Sequence, residues 1–139
     1  MKTEGPAVPN RPVEAGLSII VPALNEAVNL PFTLDGLAAG GLDLIVVDGG
    51  SRDDTVDIAR RLGARVFSSE PGRARQMNRG AQEARCSALL FLHADTLLPK
   101  GFSLIIDRVL SRPGVACGAF QLKIDDERRS YRCLLYTSD

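Results

Sequence analysis

Four short segments hold most of the residues able to do chemistry: Pro22-Ala-Leu-Asn25-Glu26, Asp48-Gly49-Gly50-Ser51-Arg52-Asp53-Asp54, Ser68-Ser-Glu-Pro-Gly-Arg73 and His93-Ala94-Asp95-Thr96. Each joins an acid or an amide to turn-forming residues. Carboxylates and amides suit hydrogen-bond donors or a cation, and an arginine suits a phosphate. Asp95 could supply an oxygen ligand to Mg²⁺ or Mn²⁺, ions that take one or two carboxylates and fill their other positions with phosphate oxygens and water. Two common phosphate cradles are missing. The turn at Pro22–Glu26 contains no glycine, so it is no G-x-G-x-x-G loop, and G-x-x-x-x-G-K-[ST] occurs nowhere. Any phosphate must therefore be held by a cation and arginines.

The elements that carry these segments are legible in the apolar pattern. Runs at Leu17–Val21, Leu42–Val47, Ala64–Phe67 and Ala88–Leu92 begin roughly 22 to 25 residues apart and are rich in β-branched and aliphatic residues. Near-continuous apolar runs of this length fit parallel strands covered on both faces. Between them, helical spacing predicts helices over Leu30–Ala39, Asp53–Leu62 and Arg73–Arg85. The first should stop at Gly40-Gly41. The second should start on a capping box of Ser51 and Asp54, bury Thr55, Ile58, Ala59 and Leu62, and stop at Gly63. The third should bury Ala74, Met77, Ala81 and Ala84. A fourth helix is expected over Phe102–Leu110 and a further strand over Val115–Ile124. This alternation is that of an α/β protein with an open, mainly parallel sheet and right-handed crossovers. All four chemical segments follow strands, and ligands of such sheets bind beyond the carboxyl ends of the strands.

Composition bounds the rest. The chain has 139 residues, 45% hydrophobic and 24% charged, which fits a globular domain and excludes disordered, collagen-like and disulfide-framework classes. Lys and Arg number 17 against 17 Asp and Glu, so no overall field favours nucleic acid or anionic membrane. Cys86, Cys117 and Cys133 are scattered, fit a reducing compartment, and form no zinc pattern; Cys86 and Cys117 are expected as small buried hydrophobes. No stretch is long enough for a transmembrane segment, and no signal peptide opens the chain, so a cytoplasmic location is expected. Residues 1–16, with Pro6, Pro9 and Pro12, are expected to be a disordered leader.

Plainer roles exist for most of these residues. Asn25 and Glu26 could cap the following helix, Asp48 could support the Gly49-Gly50 bend, and Asp95 could serve a turn before Pro99. Asp53 and Asp54 are fully explained by helix capping and the helix dipole. His93 divides evenly between a strand-end structural residue and a ligand contact. Of Arg73, Arg75, Arg79 and Arg85, Arg73 stands nearest the strand edge.

Ser18-Ile-Ile-Val-Pro-Ala-Leu-Asn-Glu26, Ile45-Val-Val-Asp-Gly-Gly-Ser-Arg-Asp-Asp-Thr55 and Leu90-Phe-Leu-His-Ala-Asp-Thr96 together resemble the opening of a family 2 glycosyltransferase of GT-A (Rossmann-like) fold. Gly72-Arg-Ala-Arg-Gln-Met-Asn-Arg-Gly-Ala81 resembles a bacterial subgroup associated with arsenosugar biosynthesis. The likeness covers about residues 17 to 124. It implies inverting transfer, of hexosyltransferase type, from a nucleotide-diphosphate sugar to an acceptor hydroxyl, with a divalent cation as cofactor. It implies that Pro22, Asn25 and Glu26 lie beside base and ribose and that Asp48 bonds one of these. Gly50, Ser51, His93 and Ala94 complete the donor site, Arg73 and Asn78 face the diphosphate or sugar, and Asp95 coordinates the cation.

Two departures from the family pattern stand out. The usual D-D-G-S is Asp48-Gly49-Gly50-Ser51, one acid short, and the first acid of D-x-D is His93. A neutral imidazole suits other metals better than Mg²⁺, which leaves Asp95 with substrate oxygens as the expected cation site. The family's general base comes from a later acidic motif, expected beyond residue 132; Asp125-Asp126-Glu127 look like a solvated turn instead. The tail at residues 133–139 continues no periodic pattern. The expectation is a glycosyltransferase domain over residues 17–132 that lacks its C-terminal part and is inactive alone. Two other classes compete: a sugar-nucleotide uridylyltransferase, which wants a Gly-rich loop after the first strand, and a non-catalytic nucleotide-binding or regulatory α/β module, which wants acids clustered there.

Overall fold

A computed structural model of the chain describes residues 14–120. Its elements run β1 (Glu14–Ala23), α1 (Leu30–Leu34), a 3-10 turn (Ala38–Gly40), β2 (Asp43–Asp48), α2 (Thr55–Arg61), β3 (Arg65–Ser68), α3 (Arg73–Glu83), β4 (Cys86–Phe91) and α4 (Phe102–Leu110). The four strands form one sheet in the order β3-β2-β1-β4 with every pairing parallel. The four apolar runs are thus the four strands, and the α/β reading holds. The chain divides after Leu98 into two compact units, the first carrying the whole sheet and the second α4.

Position in the sheet explains the texture of each strand. Central β1 is buried continuously from Leu17 to Val21, and β2 from Leu44 to Asp48. Edge strand β4 alternates between half-buried and exposed residues, leaving Leu89 and Phe91 exposed. Ile20, Ile45 and Val47 form a fully buried cluster with Phe67, Ala81 and Ala84 packed against it. Burying each such aliphatic side chain is worth about 1.5–3 kcal/mol.

The one polar residue in the β1 run is accounted for. Ser18 Oγ donates to Asp43 Oδ2 at 2.6 Å and accepts from the Cys86 N–H at 3.0 Å. Asp43 also accepts from Arg65 Nε (3.0 Å) and Nη2 (2.8 Å) and from the Arg85 N–H (2.9 Å). This network lies at the amino-terminal ends of the strands and closes the edge opposite the chemical segments.

Several boundaries differ from the sequence expectation for physical reasons. Glu14–Gly16 are not leader but part of β1: Glu14 pairs with Cys86, its N–H donates to Arg85 O at 2.9 Å, and Gly16 at φ 137° takes up the register shift. The rest of the expected leader, residues 1–13, lies outside the described residues. The first helix ends early, because Asp35 turns out at ψ 124° and Gly36 follows at φ 71°; Leu37 is still buried. No Ser51–Asp54 capping box forms: Asp54 is the N-cap without a side-chain bond, and Thr55 N–H donates to Asp53 Oδ1 at 3.0 Å. Of the residues expected on its inner face, Thr55 and Ala59 are buried and Ile58 and Leu62 half-buried.

Helix α3 shows the largest difference. Its fully buried residues are Gln76 and Gly80, whereas Ala74 is exposed and Met77 half-buried. The backbone of α3 approaches the sheet so closely that a Cβ on Gly80 would stand 2.3 Å from Ile20 Cγ2. Ala81 and Ala84 of the expected stripe do pack against the core cluster, and close approach at Gly80 takes the place of Ala74 and Met77. Helix α4 matches its expected span. No strand occurs over residues 115–120, and residues 121–124, like the tail at 133–139, lie outside the described residues. Cys117 is exposed rather than buried and Cys86 half-buried, both as free thiols.

Candidate functional site

With all strands parallel, the turns after β1, β2 and β4 gather along one edge, with the β1 turn in the middle. The strand order reverses direction on either side of β1, the switch point at which ligands of open α/β sheets bind.

The turns after β1 and β2 are interlocked. Three successive backbone N–H groups of the first turn donate to side chains of the second: Asn25 to Ser51 Oγ (2.8 Å), Glu26 to Thr55 Oγ1 (2.9 Å) and Ala27 to Asp53 Oδ2 (3.2 Å). In return the Arg52 N–H donates to Asn25 Oδ1 at 2.8 Å. Asn25 sits at φ 54°, a left-handed conformation that Asn tolerates better than most residues. Glu26 accepts from Asn29 Nδ2 at 2.9 Å. Thr55 Oγ1 also donates to Asp53, which with its backbone contacts holds the Asp53 carboxyl below the usual carboxylate range. The sequence assigned Asp53 to the helix cap and Thr55 to the buried face of α2, and their bonds to the first turn were missed; the signal was their i, i+2 spacing, the reach of an Asx turn.

Asp48 ends β2 and is buried. Its Oδ2 accepts from the Gly50 N–H (3.1 Å), and the Ser51 N–H reaches both oxygens at 3.1 and 3.2 Å. Gly50 adopts φ 102°, open to glycine and few others. Three of the roughly four acceptor positions of this carboxylate are used by the turn, which leaves one for an incoming donor. Pro22, next to the end of β1, is half-buried.

The turn after β4 is held from below. Thr33 Oγ1 on α1 donates to Ala94 O at 2.6 Å, and the Thr96 N–H donates to His93 O at 3.1 Å. The Ala94 side chain is therefore buried while His93 and Asp95 on either side are exposed. The carboxylate of Asp95 takes a long bond from Thr96 Oγ1, 3.3 Å. Among the described residues no three His, Cys, Asp or Glu side chains converge as a metal cage. A single exposed carboxylate is nevertheless compatible with a cation whose remaining ligands are phosphate oxygens and water.

Helix α3 brings its amino terminus to the same edge, since the Gln76 side chain bonds Ala23 O and Val47 O at the ends of β1 and β2. Arg73, the first residue of α3, is exposed there. Asn78 is exposed too, but at 100° per residue it is turned about 200° from both Gln76 and Gly80. The structure thus gathers Pro22, Asn25, Glu26, Asp48, Gly50, Ser51, Arg73, His93 and Asp95 along the strand ends and turns Asn78 away from the sheet.

A family model described as Glycosyl transferase family 2 matches residues 18–138. The chain belongs to this family. Among curated relatives, a PGL/p-HBAD biosynthesis glycosyltransferase of Mycobacterium bovis is 44% identical over 91 residues, covering 58% of this chain and 36% of the relative. An uncharacterized glycosyltransferase of the same species is 33% identical over 86 residues, covering 61% of this chain and 39% of the relative. The chain thus spans under two-fifths of the length of these relatives. Among solved structures, glucosyl-3-phosphoglycerate synthase from Mycobacterium tuberculosis matches with a TM-score of 0.56 at 28% identity, covering 69% of this chain and 38% of that one, in a complex with Mn²⁺, UDP and glucosyl-3-phosphoglycerate. The same synthase with Mg²⁺ and UDP matches at a TM-score of 0.57. These neighbours identify the sheet of this family 2 member as GT-A-like. No helix among the described residues is long and apolar enough to cross a membrane.

Proposed function

We propose that this family 2 member binds a nucleotide-diphosphate sugar at the carboxyl edge of its sheet and serves inverting transfer of the sugar, a hexose, to an acceptor hydroxyl. The observation that carries this reading is the pre-formed pair of turns after β1 and β2, with one acceptor position left on buried Asp48. That position suits a base N–H or a ribose hydroxyl. Pro22, Asn25 and Glu26 flank it on the β1 side, and Gly50 and Ser51 keep the carboxylate aimed. His93 and the Ala94 backbone border the diphosphate, and Arg73 clamps it.

Asp95 would hold Mn²⁺ or Mg²⁺ together with the diphosphate oxygens. Such a cation supplies charge neutralisation of the leaving nucleotide diphosphate. Because one carboxylate contributes, the cation should arrive with the donor rather than bind first. The acceptor hydroxyl needs a general base, which we place beyond residue 132; on this reading the 139-residue chain binds donor but does not turn it over alone. The arsenosugar association rests on the Gly72–Ala81 segment, and the relatives are named for other products, so no acceptor is assigned.

The test is a thermal-shift titration of the full chain with UDP, Mn²⁺ and both together, followed by transfer assays over a panel of nucleotide sugars. A shift that needs both components, without turnover, is the expected result. Absence of any nucleotide-dependent shift would remove the donor-site reading, and robust turnover would remove the placement of the base.

A further inference from the structure

A glutamine in the first turn of a helix among arginines and an asparagine ordinarily faces water. Gln76 does the opposite: it is 5% exposed and every part of its carboxamide is engaged. Nε2 donates to Ala23 O and to Val47 O, both at 2.9 Å, which uses both amide hydrogens. Oε1 accepts from the Gly72 N–H at 3.3 Å. Ala23 O also accepts the Gly49 N–H at 2.9 Å, so the glutamine and the Asp48 turn meet on one carbonyl. Gly49 leaves room for it: a Cβ there would stand 3.0 Å from Gln76 Cδ.

Ala23 and Val47 mark the place where the β1–β2 ladder ends, with Ala23 opposite Asp48 as the last paired residues. Beyond this point the strands must part to make room for their turns; Ala23 O still accepts the Gly49 N–H, and Gln76 adds a second donor to it and a donor to Val47 O. A carbonyl oxygen has two lone pairs, and each further hydrogen bond made in the fork is worth about 0.5–1.5 kcal/mol. Leu or Met at this position would pack but remove the bond to Val47 O and leave Ala23 O to the Gly49 N–H. A water could bond them without tying them to α3. Gln76 bonds both strands and the residue preceding Arg73 through one rigid planar group.

We propose that Gln76 is a positioning residue of the donor site. Its carboxamide fixes the gap between the β1 and β2 turns and sets the start of α3 against them, so that Asp48 and Arg73 address one ligand together. This rests on the donor-site reading above and adds a residue that touches no ligand itself.

The full chain is titrated with UDP and Mg²⁺, in wild type and in Gln76→Met and Gln76→Glu, with affinity measured on protein whose folded fraction is known. Each variant should bind at least about tenfold more weakly, the equivalent of 1.4 kcal/mol. Asp48→Asn should cost less in the Gln76→Met background than in wild type, because the carboxylate is then already misplaced. A purely structural glutamine would lower the melting temperature yet leave the affinity of folded protein within about twofold and the two mutations additive; that result overturns the proposal. Should the variants not fold, wild type still decides. The Gln76 side-chain amide protons should exchange far more slowly with solvent than those of exposed Gln82, and should shift on adding UDP and Mg²⁺. Exchange as fast as at Gln82, or no shift while other strand-end signals move, refutes the positioning role. Failure of wild type to bind UDP at all is the separate outcome that removes the donor site itself.

Discussion

Asn25 donates its backbone N–H to Ser51 Oγ at 2.8 Å, joining two strand-end turns 26 residues apart in sequence. The hydroxyl therefore acts between turns, while the Ser51 N–H holds Asp48. Ser51→Ala keeps the second bond and removes the first. Loss of one such bond should cost about 1 kcal/mol, a fall of a few degrees in melting temperature. UDP affinity should fall by about threefold or more as the turns separate. A variant that binds UDP as wild type does would show that the bond only stabilises the fold.

The side chain of Asn25 can be tested apart from its backbone. Asn25→Gly and Asn25→Ala both lose the Oδ1 acceptor that takes the Arg52 N–H, but only alanine must be forced into φ 54°. That conformation costs a residue with a Cβ about 1 kcal/mol. Urea unfolding should rank wild type above the glycine variant and the glycine variant above the alanine variant. Alanine equal to or better than glycine would contradict the left-handed turn.

The strands were legible because consecutive apolar residues such as Leu44–Val47 have few other places to go than the middle of a sheet. The strand-end segments were legible because polar turn residues stand out immediately after such runs. Side-chain direction was not. Gln76 and Gly80 are buried for reasons of hydrogen bonding and close approach, and neither reason leaves a hydrophobic signature. Extension of β1 back to Glu14 depends on β4 pairing 72 residues away, which no local pattern contains. The short α1 was hidden because Leu37 stays buried after the helix has ended, which preserved the apparent periodicity.

Gly80 sits where α3 touches the sheet, and its missing side chain matters more than its helix propensity. Alanine normally gains about 1 kcal/mol over glycine inside a helix. Here its Cβ would meet Ile20 Cγ2 at 2.3 Å and Val47 Cγ2 at 3.2 Å, both fully buried. Overpacking of this kind costs about 1–3 kcal/mol and should outweigh the helix gain. Gly80→Ala should therefore lower stability to urea, and Ile20→Ala should cost less in the Gly80→Ala background than alone. Stabilisation by Gly80→Ala would show that α3 rides further from the sheet.

Acid should weaken the amino-terminal edge of the sheet. Burial raises the Asp43 carboxyl, but bonds from Ser18, the Arg85 N–H and Arg65, together with the Arg65 charge, outweigh it and leave the group below its ordinary value. The unfolded chain then takes up the proton more readily than the folded one, so the contribution is present above the unfolded carboxylate value of about 4 and is lost as pH falls through the lower folded value. Asp43→Ala also strands Arg65 and Ser18, at a cost of about 2–3 kcal/mol near neutrality. Urea midpoints of wild type and variant should differ most at pH 7 and converge below about pH 4. A gap independent of pH would mean that the loss is one of packing alone.

Asp95 and Asp48 sit in opposite surroundings, which lets their proposed roles toward metal and nucleotide be tested apart. Asp48 is buried and built into its turn, so replacing it disturbs fold and ligand together. Asp95 is exposed and takes a single weak bond from Thr96, so Asp95→Asn should change ligand-free stability by no more than about 0.5 kcal/mol. At a hundredfold excess over its dissociation constant, the Mn²⁺–UDP complex should stabilise wild type by about 2.7 kcal/mol. In Asp95→Asn the part of that shift that depends on Mn²⁺ should vanish, leaving the smaller effect of UDP without metal. If Mn²⁺ enhances UDP binding equally in both proteins, the cation is held elsewhere and Asp95 reverts to a turn residue.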